Sequence, residues 1–168
     1  MKDVLRVFDV DNTLLIPCNI YIYKRCKITR EILVKLSPKE YSVDVLHVSQ
    51  YYDFTEFDDK TRCKDSIING KILYNDFTNG EKIAVLTARI CPEAVYESLL
   101  MFFAKHNVDV ILDISHVFCV GNSELKTPEA KLRVLLKLQE HYSIVFYDDD
   151  FKNVDLAKSN GIDSVLVT

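Results

Sequence analysis

Residues 7–17 read VFDVDNTLLIP, and the run changes character part-way. It opens as the end of a buried β-strand and then sets two carboxylates, Asp9 and Asp11, one residue apart. Hydrophobic patterning accounts for Val4 to Val10 but not for acids whose charges repel. In a regular strand residues i and i+2 face the same way, so both carboxylates can enter one pocket. Two charges ~4 Å apart repel by roughly 4 kcal/mol at an effective dielectric of 20, and something must compensate. A divalent cation with oxygen ligands is the economical answer. A strand followed by a capped turn is the alternative that needs no ligand.

The same pattern returns near the other end of the chain. SIVFYDDDFKN, residues 143–153, is again a buried strand that ends in acids, here Asp148, Asp149 and Asp150, with Asn153 following. Parallel strands share a direction, so two strands ending in carboxylates bring them to one edge of a sheet. One acidic run is usually a solvated loop or a helix cap; two such runs are harder to dismiss. Between them lies IAVLTAR, residues 83–89, where a strand ends at Thr87 and is followed by Ala88, Arg89 and a helix starting near Pro92. A hydroxyl and free backbone N–H groups at such a junction suit a phosphate oxygen. Arg89 can reach a second anionic group such as a nucleotide phosphate, or pair with an acid on a helix face. In ELKTPEAKLRVLL, residues 124–136, Lys126 and Lys131 are both candidate cations, although most helix lysines are solvated.

The remainder of the chain frames these signals. VLRVFDV, KIAVLTA, HVFCV, YSIVFYD and SVLVT are short, nearly continuous apolar runs, which suits parallel strands covered on both faces. Helical stretches alternate with them. PEAVYESLLMFFAKH puts Val95, Leu99, Phe102 and Phe103 on one side; TPEAKLRVLLKLQEH offers Thr127 as N-cap; FKNVDLAKSNG finishes at Gly161, a candidate C-cap. The alternation predicts an α/β fold with a doubly wound, Rossmann-like parallel sheet, helices on both faces, and ligand chemistry at the carboxyl ends of the strands. The core of this single domain is expected at 1–13 and 81–168. Residues 14–80 are too long for a plain connection and are expected to form a cap or flap insertion. There NIYIYKRCKITREIL reads as a β-hairpin, Ser37 and Pro38 mark a helix start, and Tyr51, Tyr52, Phe54 and Phe57 either stack on a base or close the insertion's own small core.

Bulk properties limit the classes. At 168 residues, with 48% hydrophobic and 27% charged side chains, the chain is globular in composition and long enough to bury roughly two-thirds of its extended surface. No run reaches the ~18 apolar residues of a membrane span, and the N-terminus has no signal-peptide layout. The net charge of −4 argues against general duplex binding. Five cysteines, Cys18, Cys26, Cys63, Cys91 and Cys119, form no C-x-x-C pair and are expected as reduced thiols of a cytoplasmic protein, Cys119 as a buried one.

Taken in order, Asp9-x-Asp11-x-Thr13, Thr87, Lys131 or Lys126, then Asp148-Asp149 with Asn153, the set resembles the haloacid dehalogenase superfamily of phosphohydrolases. The chain looks similar to the small phage-type phosphatases and, more loosely, to the phosphatase domain of polynucleotide kinase-phosphatases. VFDVDNTLL is the specific part of the resemblance; Thr87 and the lysine are permissive. The resemblance implies Asp9 as nucleophile forming an aspartyl-phosphate and Asp11 as acid and base. It implies Mg²⁺ held by Asp9, the backbone carbonyl of Asp11 and Asp149, with Asp148 beside them. Lys131 or Lys126, Thr87, and the Thr13, Ala88, Arg89 and Asn153 positions would then serve the phosphoryl group. Lys131 fits the first turn after TPEA and is preferred; Lys126 resembles a Lys-x-Pro loop. The implied function is a Mg²⁺-dependent phosphomonoesterase acting on a small phosphorylated substrate such as a nucleotide or a nucleic-acid terminal phosphate. The alternatives are a non-catalytic binding module of this fold, or a phospho-acceptor receiver domain. Receiver domains begin with adjacent acids, whereas here the adjacent acids come last.

Overall fold

The computed structural model describes residues 2–15, 20–25, 30–36, 50–53, 81–106 and 109–167. Its first half holds β1 (Val4–Phe8), β2 (Ile20–Arg25), β3 (Arg30–Leu36) and β4 (Gln50–Asp53). Its second half runs β5 (Glu81–Thr87), α1 (Pro92–His106), β6 (Val110–Cys119), α2 (Thr127–Gln139), β7 (Ser143–Asp148), α3 (Phe151–Ser159) and β8 (Asp163–Leu166). Five of the strands form one sheet in the order β6-β5-β1-β7-β8, with every neighbouring pair parallel. From β1 the chain builds outward through β5 and β6, then crosses to the other side for β7 and β8. The order therefore reverses between β1 and β7, and a doubly wound sheet opens its ligand crevice at the carboxyl edge of that switch point.

Alternation along each strand divides the apolar side chains between two faces. Leu5, Val7, Ala84, Leu86, Ile144 and Phe146 pack with Leu135 of α2 and Ala157 of α3. Phe8, Ile83, Val85 and Val117 pack with Val95, Leu99, Phe102 and Phe103 of α1, the four residues expected on its inner side. Each fully buried Val, Leu, Ile or Phe among them contributes about 1.5–3 kcal/mol. Leu14 and Leu15, just after the first strand, also belong to the Phe8 cluster. Phe8 also stacks on Tyr147 across β1 and β7, with ring centroids 4.6 Å apart.

Three details depart from expectation. Strand β6 begins six residues before HVFCV, and its pairing with β5 is irregular: Ile83 faces Leu112 while Val85 faces Val117. The intervening Asp113, Ile114 and Ser115 are exposed, so no apolar pattern announced this stretch. The N-cap of α2 is Lys126, with no side-chain cap bond, and Thr127 is already helical. Cys119 is half-buried rather than fully buried, and neither it nor Cys91 forms a disulfide. The end of α3 follows the expected chemistry. Gly161 has φ +75°, its N–H donates to Lys158 O, and Ile162 N–H reaches back to Ala157 O, the bond pair of a Schellman cap.

In the other sheet β2 pairs antiparallel with β3 and with β4, so the hairpin read in NIYIYKRCKITREIL is present. Tyr51 and Tyr52 lie on β4; the Ser37–Pro38 helix start, Phe54 and Phe57 lie outside the described residues. No helix among the described residues is long and apolar enough to cross a membrane.

Replacing Gly161 by Ala tests the cap. A Cβ there meets nothing within 4 Å, so the cost is conformational, about 1 kcal/mol, from forcing an L side chain into the left-handed region. Thermal unfolding should fall by about 2–4 °C. An unchanged midpoint would show that the cap contributes nothing.

Candidate active site

The strand register delivers the two acidic runs to one place. β1 pairs with β7 from Val4↔Ser143 to Phe8↔Tyr147, and the Asp9 N–H continues the ladder by donating to Tyr147 O at 2.8 Å. Asp9 therefore stands beside Asp148, both buried. Between them sits the Lys131 ammonium, 2.7 Å from Asp9 Oδ1 and 2.6 Å from Asp148 Oδ2. A helix lysine is ordinarily solvated, yet Lys131 is only 3% exposed. A buried charge requires partners, and Lys131 has two.

Asp148 is fixed from several further directions. The Asn153 Nδ2 donates to both of its oxygens at 3.0 Å, and the Asp150 N–H donates to Oδ1 at 2.8 Å. The Asp150 carboxylate turns away to cap α3, accepting from the Lys152 N–H. The third member of the cluster is Asp149. Carboxylate oxygens of Asp9, Asp148 and Asp149 lie within 4.8 Å of one another.

Burial and crowding set the electrostatics. Burial pushes the Asp9 carboxyl up to about 8; Lys131 opposes the rise, while Asp148 and Asp11 add to it. Burial, then the Asp148 charge, raises Asp149 to about 6, against a hydrogen bond from Asn12 that lowers it. Burial works to lower Lys131, but Asp9 and Asp148 outweigh it and hold the ammonium above its ordinary range. Three acidic groups thus share one ammonium. The donors are all oxygen and their charge is under-compensated, which fits a hard divalent cation.

The loop after β1 is a tight turn. The Val10 carbonyl accepts from the N–H groups of Thr13, Leu14 and Leu15, and the Asn12 N–H closes onto Leu15 O. Asn12 takes φ +61°, a left-handed conformation that asparagine tolerates better than most residues. Val10, Leu14 and Leu15 anchor the turn in the core. Thr13 is fully buried, and its Oγ1 has no partner among the described residues.

Asp11 faces a cation from the neighbouring strand. Arg89 Nε donates to Oδ2 at 3.0 Å and Nη2 to Oδ1 at 2.7 Å, a bidentate pair. The acid that Arg89 pairs with lies in the turn after β1, not on a helix face as expected. Thr87 is buried and its Oγ1 accepts from the Arg89 N–H at 3.2 Å; Ala88, between them, is exposed. The segment is tied to the end of β6 by Val120 N–H to Thr87 O and Gly121 N–H to Arg89 O. A Cβ on Gly121 would lie 2.2 Å from Ala88 O, so only glycine permits this approach.

The structure thus gathers Asp9, Asp148, Asp149, Lys131 and Asn153, with Asn12 joining through Asp149. It adds Asp11 with Arg89, and Thr87 beside Arg89. Of the two candidate lysines, Lys131 holds the buried place; Lys126 is exposed at the start of α2. Asn153 gives its Nδ2 to Asp148, while its buried Oδ1 has no partner among the described residues. Asn12 and Gly121 were missed, although the tolerance of Asn for left-handed backbone was a usable signal.

Comparison with known proteins gives a likeness of fold. A chain of the Pnkp1/Rnl/Hen1 RNA repair complex is similar to this one with a TM-score of 0.58 at 16% sequence identity, over 99% of this chain. The match occupies 42% of that chain, so this protein spans less than half the length of its structural neighbour. No protein-family model matches the sequence, and no curated protein does either.

Two substitutions probe the assembly. Lys131→Met leaves Asp9 and Asp148 facing each other without a counter-charge, and should cost about 3–5 kcal/mol in urea unfolding. A loss below about 1 kcal/mol would mean that the lysine does not hold the carboxylates together. Gly121→Ala forces Ala88 to move, and should destabilise by more than Gly161→Ala in the same measurement.

Proposed function

We propose that the protein is a divalent-metal-dependent phosphomonoesterase of haloacid dehalogenase type, with Mg²⁺ as the metal and Asp9 as the nucleophile. The observation that carries this reading is the Asp9–Lys131–Asp148 cluster with Asp149 at the carboxyl edge of the β1/β7 switch point. The fold likeness to a chain of an RNA repair complex supports a terminal phosphate of a nucleotide or nucleic acid as the substrate class.

Asp9 and Asp149 are the residues that would hold the metal, with Asp148 beside them in the same cluster. When bound it would neutralise the repulsion between a carboxylate nucleophile and a phosphate dianion. A carboxylate oxygen of Asp9 attacks phosphorus, and the bond to the leaving oxygen breaks. Lys131, on Asp9 Oδ1, orients that carboxylate and stabilises negative charge beside it. Asp11 gives a proton to the departing alkoxide, then takes one from the water that attacks phosphorus and releases inorganic phosphate. Each Asp11 oxygen accepts one bond from Arg89 and keeps a second lone pair for this traffic. Arg89 fixes the plane of the acid and is a positioning residue.

Turnover of a generic aryl phosphate tests the reading. Release should require Mg²⁺ and fall at least a thousandfold in Asp9→Asn; activity retained in that variant overturns the nucleophile assignment. Asp11→Asn should cost roughly 10²–10⁴ in kcat on an alkyl phosphate, whose leaving group needs a proton. On a nitrophenyl ester, which leaves without one, the formation of the phosphoenzyme should be affected far less. Equal burst rates for the two esters would remove Asp11 from the acid role.

A further inference from the structure

We infer that Asn12 is the positioning residue that carries Asp149 into the acidic cluster, its side-chain amide tying the turn after β1 to the end of β7. The inference rests on the metal-dependent reading of the site and adds to it a residue on which metal affinity depends. The three acids of the cluster are held unequally. Asp9 is held by Lys131; Asp148 is held by Lys131, by two bonds from Asn153 and by the Asp150 N–H. Asp149 receives none of these. It is half-buried where Asp9 and Asp148 are buried. Among the described residues the side chain that donates to it is that of Asn12. Released from that bond, the Asp149 carboxylate would turn toward water and away from the like charge of Asp148, and the cluster would lose its third member.

The backbone of Asn12 bears on the choice of residue. At φ +61° it is left-handed, a conformation that glycine takes without strain. The turn itself is closed by main-chain bonds: the Asn12 N–H reaches Leu15 O, and Val10 O accepts from Thr13, Leu14 and Leu15. Glycine would satisfy that geometry. What asparagine adds is an amide, and its donor goes to Asp149. An amide also suits a carboxylate that must still meet a cation. A lysine or arginine in its place would neutralise the acid, whereas a neutral N–H orients one oxygen and leaves the charge and the remaining lone pairs available. Partners of this kind, behind the groups that touch a metal, hold those groups in place and tune the affinity.

The test is Asn12→Gly in the full chain, which keeps the turn and removes the amide. Mn²⁺, which takes the same oxygen donors as Mg²⁺, is titrated, and the free ion is counted by its electron paramagnetic resonance signal. Asn12→Gly should weaken Mn²⁺ binding roughly ten- to a hundredfold, and competition by Mg²⁺ should weaken by the same factor. Without divalent cation its thermal midpoint should stay within about 2 °C of the wild type. Gly161→Ala, which lowers the midpoint through the α3 cap, should leave Mn²⁺ affinity unchanged, so lost stability alone does not mimic the effect. On an aryl phosphate, Asn12→Gly should raise the Mg²⁺ concentration at half-maximal rate by the factor seen in binding, and saturating Mg²⁺ should restore most of kcat. No Mn²⁺ binding by the wild type, unchanged affinity in Asn12→Gly, a larger fall in its cation-free midpoint, or a kcat that saturating Mg²⁺ does not restore overturns the assignment. A wild type that binds Mn²⁺, loses affinity in Asn12→Gly as expected and hydrolyses no phosphate ester overturns the phosphatase reading instead.

Discussion

The ammonium of Lys131 is placed where two parallel strands would otherwise collide electrostatically. The β1/β7 register forces Asp9 and Asp148 to be neighbours, and both are removed from water. Without a cation between them the pairing would drive apart at its carboxyl end. Lys131 reaches both from α2 at 2.6–2.7 Å, so one side chain ties two strands and a helix together. The surrounding polar contacts then sort the acids by role. Asp148 accepts from Lys131, from Asn153 and from the Asp150 N–H, and its capacity is largely consumed. Asp9 and Asp149 keep oxygens that those donors do not occupy, and these two carry the raised carboxyl pKa values.

A second ion pair extends the arrangement to the neighbouring strand. Arg89 grips both Asp11 oxygens, so the acid/base candidate is oriented from β5 while the nucleophile candidate is oriented from α2. The Arg89 backbone is held in turn by Gly121, whose lack of a side chain lets the β6 end approach Ala88 and Arg89. Side chains held by packing and hydrogen bonds are the condition for a reacting geometry that does not have to be assembled on each encounter.

Much of this was legible in the sequence because the signals were periodic or charged. Continuous apolar runs gave buried parallel strands, and an i, i+3, i+4 pattern gave α1. Carboxylates at the ends of two such runs located the edge of the sheet that matters. What was not legible depended on distance in space. Local context favoured Lys131 over Lys126 only by its place in the first helical turn; its burial against Asp9 and Asp148 is what distinguishes it in space. The bonds from Asn153 to Asp148, five residues back, could likewise not be read from spacing. The early part of β6 went unread because an irregular edge strand with exposed Asp113, Ile114 and Ser115 carries no alternation. Gly121 was silent because its neighbours, Ala88 and Arg89, are more than thirty residues away in the chain.

The energetics bear on why an inert module of this fold is the poorer reading. Buried ion pairs can often be replaced by packed apolar residues with no loss of stability, sometimes with a gain. A domain selected only to fold or to dock has no need to gather Asp9, Asp148 and Asp149 within 4.8 Å around one lysine, nor to hold a carboxyl at about 8. That upward shift records a charged form made less stable by the fold than by water. Arrangements that oppose stability in this way collect where a protein handles a ligand or a reaction. The compensation that the described side chains do not supply is positive charge, which a divalent cation and the donors facing a phosphate would supply together.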